Sequence, residues 1–158
     1  ADPGGGGRVA GPADPADDRF HYVFENRVRY AETDAQAIVF YGEYVTFQDE
    51  TFSELLRRLD FPYTELAARG LDFHVVHTEL DYHSFAEFDD ELRNGFRVAA
   101  IRESSADFEW VCRQAADDRV VASGTITHVA VGEDGPTRVP DDFREAVVAF
   151  QDEPPEPV

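Results

Sequence analysis

The apolar residues of this chain change their spacing in an orderly way, and the spacing predicts the secondary structure. Phe20, Tyr22 and Phe24 alternate with more polar neighbours, which predicts a first strand that ends near residue 29. A turn-like segment, AETDAQA, follows it. From residue 42 to about residue 60 the apolar side chains recur at helical spacing. The pattern therefore predicts a strand, a turn and a long helix.

Short apolar runs separated by turn residues fill the remainder of the chain. Pro62 ends the long helix, and the stretch TELAARG predicts a short second helix closed by Gly70. Pro140 opens a last amphipathic helix over residues 141–150. Four strands are predicted between these two helices, over residues 71–84, 92–102, 106–114 and 120–131.

This order of elements predicts one α+β domain over residues 20–150. Five antiparallel strands, the last four as a meander, would wrap around the long helix, whose many aromatic residues indicate that it is buried. The free edges of such a sheet favour pairing of subunits into a homodimer or homotetramer. Residues 1–19 and 151–158 are rich in Gly, Pro and acidic residues, which predicts flexible tails.

The charge of the chain indicates the salt concentration at which the protein works and excludes one class of partner. Its 158 residues include 33 acidic and 14 basic ones, for a net charge of −19, and every basic residue is arginine. A lysine-free acidic surface is typical of a protein that stays dissolved in molar salt, where a Debye length of about 3 Å screens carboxylate repulsion. An ordinary acidic protein with GC-rich codon usage is the alternative. Either way, nucleic acid is excluded as a partner by charge repulsion.

Hydropathy predicts a soluble, cytoplasmic protein. No stretch approaches the roughly 20 apolar residues that a membrane span needs. The first residues, ADPGGGGRVAGPADPADD, lack the apolar core of an export signal. We therefore expect no membrane partner.

Neither the cysteine nor the histidines indicate a metal or a cofactor. Cys112 is the only cysteine, and its place between apolar neighbours of a predicted strand favours a buried residue over a nucleophilic thiol. His74 and His77 are three residues apart on a predicted strand, so they would face opposite sides of the sheet. The other three histidines lie near strand ends, without a metal-binding spacing such as HExxH.

The segment between the first strand and the long helix contains the sharpest chemical pattern. An Asp that follows a strand is more often a turn residue than a catalyst, because its carboxylate accepts bonds from backbone N–H groups two residues on. Here, however, the Asp belongs to a longer run of Thr, aliphatic and aromatic residues. The run comprises Tyr30, Thr33-Asp34, Ile38-Val39, Phe40-Tyr41 and Tyr44.

This run resembles the signature of the 4-hydroxybenzoyl-CoA thioesterase family of hot-dog proteins. Looser similarities at residues 79–82, 90–92 and 101–105 extend the resemblance over residues 22–148. It implies a hot-dog fold and a haloarchaeal-type acyl-CoA thioesterase that hydrolyses an acyl-CoA to a free acid and coenzyme A. No metal is needed for this reaction, because a thioester is an activated acyl group with a good thiolate leaving group.

The resemblance also implies roles for individual residues. Asp34 would be the catalytic carboxylate, as nucleophile or as general base on water. Backbone N–H groups near Tyr41 and Gly42, at the start of the helix, would stabilise the oxyanion. We assign the Tyr41 side chain no acid–base role and expect Tyr44 to line the substrate pocket. Many members have Gly where this chain has Ala37, so a loop that needs positive φ there would be strained.

Two further groups of residues are candidates for binding. Coenzyme A carries three phosphates, and Arg102 with Ser104 and Ser105 matches the turn that contacts the nucleotide in the family. Arg93 and Arg97 could bind the phosphates instead, or could pair with acidic neighbours on the strand.

On the predicted long helix, the adjacent Asp49 and Glu50 are as consistent with a functional site as with a solvated surface.

Two other functions remain open at this point. One is a non-catalytic protein of the same fold that binds acyl-CoA, because a fold does not fix a function. A hot-dog hydratase or dehydratase is less favoured, because no paired His and carboxylate motif of that kind is present. The pattern does not distinguish an aryl from a fatty acyl group.

Overall fold

The computed structural model describes residues 19–156. Every predicted helix and strand is present, with bounds within two residues of the prediction. The strands are β1 (His21–Arg27), β2 (Asp72–Tyr82), β3 (Glu91–Ile101), β4 (Ser105–Gln114), β5 (Val120–Gly132) and the two-residue β6 (Gly135–Pro136). The helices are α1 (Glu43–Arg58), α2 (Tyr63–Ala68) and α3 (Asp141–Phe150).

The five long strands form one antiparallel sheet in the order β1-β3-β4-β5-β2, and β6 pairs with β5. The predicted α+β class and five-stranded sheet are confirmed. The expected meander is correct only for β3, β4 and β5. Since β1 occupies the free side of β3, β2 pairs with β5 at the opposite edge. Among residues 19–156, β1 and β2 are therefore the two edge strands of the long sheet.

Helix α1 lies against the inner face of the sheet, as predicted from its aromatic residues. Phe52 is at the centre of this contact. Its ring meets Phe73 of β2, Phe96 of β3, Phe108 of β4 and His128 of β5 at centroid distances of 4.0 to 6.2 Å. Burial of one such ring stabilises the fold by roughly 2 to 3 kcal/mol, so α1 and the sheet form one core.

Residues 151–156 run along the sheet. Gln151 is buried, and its side chain exchanges hydrogen bonds with the backbone of Val98 at 2.5 and 3.1 Å. Glu156 forms a parallel bridge with Ala100. This part of the predicted C-terminal tail is therefore attached to β3. Residues 1–18 of the predicted N-terminal tail (residues 1–19), and residues 157–158, lie outside the described residues.

Two further expectations concern the cysteine and membrane-spanning segments. Cys112 is fully buried in β4, and this burial raises the pKa of its thiol. Its position agrees with a packing role and not with that of a nucleophile. Within residues 19–156, no helix is long and apolar enough to cross a membrane.

Candidate active site

The loop between β1 and α1 is held by its own backbone. The N–H of Asp34 donates to the carbonyl of Ile38 at 3.0 Å, and the N–H of Ala37 donates to the carbonyl of Asp34 at 2.9 Å. This closed turn places Ala37 at φ 65°, the left-handed conformation that its family position had indicated. The N–H of Val39 then bonds to the carbonyl of Ala86, which attaches the loop to the segment between β2 and β3.

The Asp34 side chain is half-buried, and one of its oxygens belongs to the turn. Its Oδ1 accepts a hydrogen bond from the N–H of Gln36 at 2.8 Å. Among residues 19–156 the second oxygen has no donor within bonding distance. Asp34 can therefore be both a turn residue and a catalyst. Its Oδ1 orients the carboxylate through the bond from Gln36, and its second oxygen is left for reaction with a substrate or water.

An ion pair between the exposed Arg29 and the buried Glu32 supports the start of this loop, and it was not predicted from the sequence. The carboxylate of Glu32 accepts bonds from the backbone N–H of Arg29 at 2.7 Å and from its guanidinium at 2.9 and 3.1 Å. Burial, together with the nearby charge of Glu32, raises the pKa of Glu50 on α1. Of the adjacent acidic pair, Glu50 therefore faces the base of the loop, and Asp49 lines a different cavity.

A cavity of about 180 Å³ adjoins the Asp34 carboxylate. Its wall brings together five residues of the run singled out from the sequence with residues from the end of β2 and the segment after it. The lining consists of Asp34, Gln36, Ile38, Val39, Tyr41, Tyr44, Tyr82, Ser84 and Phe85.

Four of the nine residues that line this cavity are aromatic. The rings of Tyr44 and Tyr82 meet edge to face at 5.7 Å, and the Tyr82 hydroxyl donates to the carbonyl of Tyr41 at 3.2 Å. Burial raises the pKa of both Tyr44 and Tyr82, so both hydroxyls stay protonated at neutral pH. They can donate hydrogen bonds but are not general bases.

The start of α1 lies beside the same cavity, whose lining includes Tyr41 and Tyr44. Within residues 19–156, the N–H groups of Tyr41 and Gly42 donate to no protein acceptor. Gly42 has ordinary right-handed helical angles, φ −68° and ψ −22°. A Cβ there would lie 2.8 Å from the ring of Phe40, so the glycine makes room for this ring.

The turn proposed to bind phosphate lies far from Asp34 in the same chain. Arg102 donates to both oxygens of Asp107 at 2.6 and 2.8 Å and to the hydroxyl of Ser105 at 2.9 Å. This pairing raises the pKa of Arg102 and lowers that of Asp107. The turn, which includes Ser104, follows β3, whereas the Asp34 loop adjoins the beginning of β3. With eleven residues in β3, the separation is roughly 35 Å.

The other arginines considered from the sequence are paired on the strands. Arg97 is buried against Glu109 at 2.5 Å, and Arg93 bonds to Asp118 at 3.1 Å. Arg119, which was not singled out from the sequence, lies beside the cavity and donates to the carbonyl of the lining residue Phe85 at 3.1 Å.

Across residues 19–156 no cluster of three or more potential metal ligands is present.

A curled antiparallel sheet around one long buried helix is the hot-dog fold, which solved structures of thioesterases share. The sequence profile of the thioesterase-like superfamily matches residues 28–147, and the chain belongs to this superfamily. The matched region contains the loop, α1 and the long strands from β2 to β5.

Individual relatives agree with this family. A putative esterase of Aquifex aeolicus is 26% identical over 110 residues, which cover 70% of this chain and 84% of the relative. The acyl-CoA thioester hydrolase YbgC of Escherichia coli is 32% identical over 82 residues, 52% of this chain and 61% of that protein. A 1,4-dihydroxy-2-naphthoyl-CoA thioesterase from Synechocystis superposes with a TM-score of 0.75, covering 83% of this chain and 97% of that one. At 19% identity, this last likeness shows the fold.

Proposed function

We propose that this protein hydrolyses an acyl-CoA thioester, with water, to a free acid and coenzyme A. The observation that carries the proposal is the geometry of Asp34. One carboxylate oxygen is fixed by Gln36, and the group lines an aromatic cavity at the start of α1. A carboxylate in this position either attacks the thioester carbonyl or removes a proton from an attacking water.

The backbone at the start of α1 would supply the second part of the mechanism. Attack on the thioester carbonyl places negative charge on its oxygen. The N–H groups of Tyr41 and Gly42, which have no protein acceptor within residues 19–156, are suited to receive that oxyanion. They also lie at the positive end of the α1 dipole, which adds to the same stabilisation. Collapse of the intermediate then releases the thiolate of coenzyme A. On the general-base route the free acid forms in the same step, whereas on the nucleophilic route water then hydrolyses the anhydride between the acyl group and Asp34.

Acyl-CoA as the substrate is supported by the relatives and by the charge of the chain. YbgC is an acyl-CoA thioester hydrolase, and the match to this chain spans 61% of that protein. Arginine is the only basic side chain available to grip the phosphates of coenzyme A. A reduced, unpaired Cys112 suits a cytoplasmic location, where we place the enzyme.

A second subunit would complete the site. β2 is an eleven-residue edge strand whose Val75 and Val76 are 53% and 61% exposed, and pairing of two such edges would join two sheets. In one chain the Arg102 turn and Asp34 are at opposite ends of β3. We therefore propose that Arg102, Ser104 and Ser105 contact the nucleotide bound beside Asp34 of another subunit of a homodimer or homotetramer.

Asp34→Asn tests the proposed chemistry without dismantling the loop. The Asn side-chain oxygen can still accept the bond from Gln36, but the carboxylate charge is lost. We expect kcat for release of free thiol from a panel of acyl-CoAs to fall by a factor on the order of 10³, with the melting temperature unchanged. The assay is run in molar KCl.

Asp60→Asn is the matched control, because it removes one carboxylate at the other end of α1, at a left-handed position that Asn accepts. It should retain full activity. Full activity of Asp34→Asn would refute the mechanism. Tight binding of acyl-CoA by the unmodified protein, without thiol release, would instead favour a non-catalytic binding protein.

A further inference from the structure

A second and larger cavity lies between α1 and β2, beyond the one beside Asp34. Its volume is about 270 Å³, and its wall is largely apolar. The apolar part includes Val45, Phe52, Val75, Phe96 and Ile126. Exposed polar residues line its mouth, and two further polar residues, Gln48 and His128, are buried in its wall. Buried polar side chains of this kind are uncommon unless they are paired.

Gln48 is the first of them. It lies on the buried face of α1 with 4% of its surface exposed. The hydroxyl of Thr78 on β2 donates to its Oε1 at 3.3 Å, which leaves the amide nitrogen Nε2 without a protein partner within residues 19–156. A buried amide donor without an acceptor opposes folding, so stability does not account for this residue.

His128 of β5 is the second. It is 3% exposed, and its ring stacks on Phe52 at a centroid distance of 4.0 Å. In the described part of the chain, no protein group bonds to its Nδ1. Burial lowers the pKa of His128 to about 4, so the imidazole is neutral at physiological pH.

The two cavities both lie beside α1 and β2. Tyr44 and Tyr82 line the cavity beside Asp34, and the neighbouring Val45 and Thr78 line the larger one. Gln48 follows Tyr41 by seven positions, which is about 10 Å along the helix axis. An acyl group whose carbonyl lies at the start of α1 would extend along α1 toward Gln48.

We propose that Gln48 and His128 form a polar subsite that binds a hydroxyl group at the far end of the acyl chain. This inference rests on the proposed thioesterase function. A hydroxyl can accept a bond from the Gln48 amide and either donate to or accept from the neutral imidazole of His128. A carboxylate is excluded by the Asp49 side chain in the same wall and by the absence of a positive charge on His128.

The experiment compares matched pairs of thioesters. Octanoyl-CoA is compared with ω-hydroxyoctanoyl-CoA, and phenylacetyl-CoA with para-hydroxyphenylacetyl-CoA, so that a chain and a ring are both tested. We expect the wild-type protein to favour the hydroxylated member of at least one pair by about tenfold in kcat/KM. Gln48→Leu should abolish that preference while leaving the melting temperature unchanged or higher, because it removes an unpaired buried amide.

Thr46→Val is the control. It removes an exposed hydroxyl from the rim of the same cavity and should leave the preference intact. Calorimetric binding of the same four thioesters to the Asp34→Asn protein measures the preference without hydrolysis. Equal affinity within both pairs, unchanged by a further Gln48→Leu, would overturn the subsite. No hydrolysis by the wild type, with preferential binding of a hydroxylated member, would refute the thioesterase function and leave the subsite standing.

Discussion

At the scale of single residues, Ala37 shows what the loop requires of the chain. Its φ of 65° is the region that glycine occupies freely and alanine does not, at a cost of about 1 to 2 kcal/mol. The bonds from Asp34 to Ile38 and from Ala37 to Asp34 hold it there. These hydrogen bonds therefore keep the loop in its conformation although Ala37 disfavours the left-handed region.

Ala37→Gly should stabilise the protein by about 0.5 to 1 kcal/mol in the free energy of unfolding. Relief of the left-handed strain outweighs the greater flexibility of glycine in the unfolded chain. Chemical denaturation with urea measures the difference. Ala35→Gly is the matched control, an exposed alanine of the same turn without positive φ, and it should be neutral or destabilising. A loss of stability in Ala37→Gly would contradict the strained conformation.

Part of the site could be predicted from the sequence. Asp34, Tyr41 and Tyr44 belong to one continuous run, and the resemblance to a known family applies to that run. Tyr82 and Phe85 could not be predicted in the same way, because only the folding of the sheet brings the end of β2 to the loop. Gln48 was missed since helical periodicity assigns polar residues to the exposed face.

At the scale of elements, the spacing of apolar residues predicted where each helix and strand begins and ends, because that spacing is local. It did not predict which strands are neighbours. The choice of β5 over β3 as the partner of β2 depends on β1, which lies far away in the sequence and occupies the other side of β3. The edge position of β2 follows from that pairing.

Val76→Lys tests the role of the β2 edge. A lysine in the centre of an edge strand opposes edge-to-edge pairing. We expect the variant to be monomeric by sedimentation at concentrations where the wild type is dimeric. It should also lose most thioesterase activity, because the Arg102 turn would no longer reach Asp34 of another subunit.

Val148→Lys on α3 is the matched control for this substitution. Val148 is 56% exposed, close to the 61% of Val76. Its replacement by lysine introduces the same charge away from the sheet edge. It should leave assembly and activity unchanged. A dimeric, active Val76→Lys protein would show that the subunits pair through another surface.

At the scale of the whole molecule, salt should stabilise the protein. Most of its ion pairs are exposed, such as Arg138 with Asp141 and Arg27 with Asp89, and pairs of this kind contribute at most about 1 kcal/mol each. Screening weakens these pairs, but it also weakens the mutual repulsion behind a net charge of −19. The second effect acts over the whole surface and should dominate.

We therefore expect the melting temperature to rise between low and molar KCl. Calorimetry at a single protein concentration, with the oligomeric state measured alongside, gives the result. A higher melting temperature in low salt would show that the acidic surface is not an adaptation to salt.

The burial of Cys112 has a practical consequence. It is the only thiol of the chain and is fully enclosed in β4, with its pKa raised by that burial. A thiol-reactive dye present during turnover therefore reports coenzyme A alone, without a background from the folded enzyme. In the absence of substrate, the same dye reacts only when β4 opens, so its rate of incorporation measures how readily this part of the core opens.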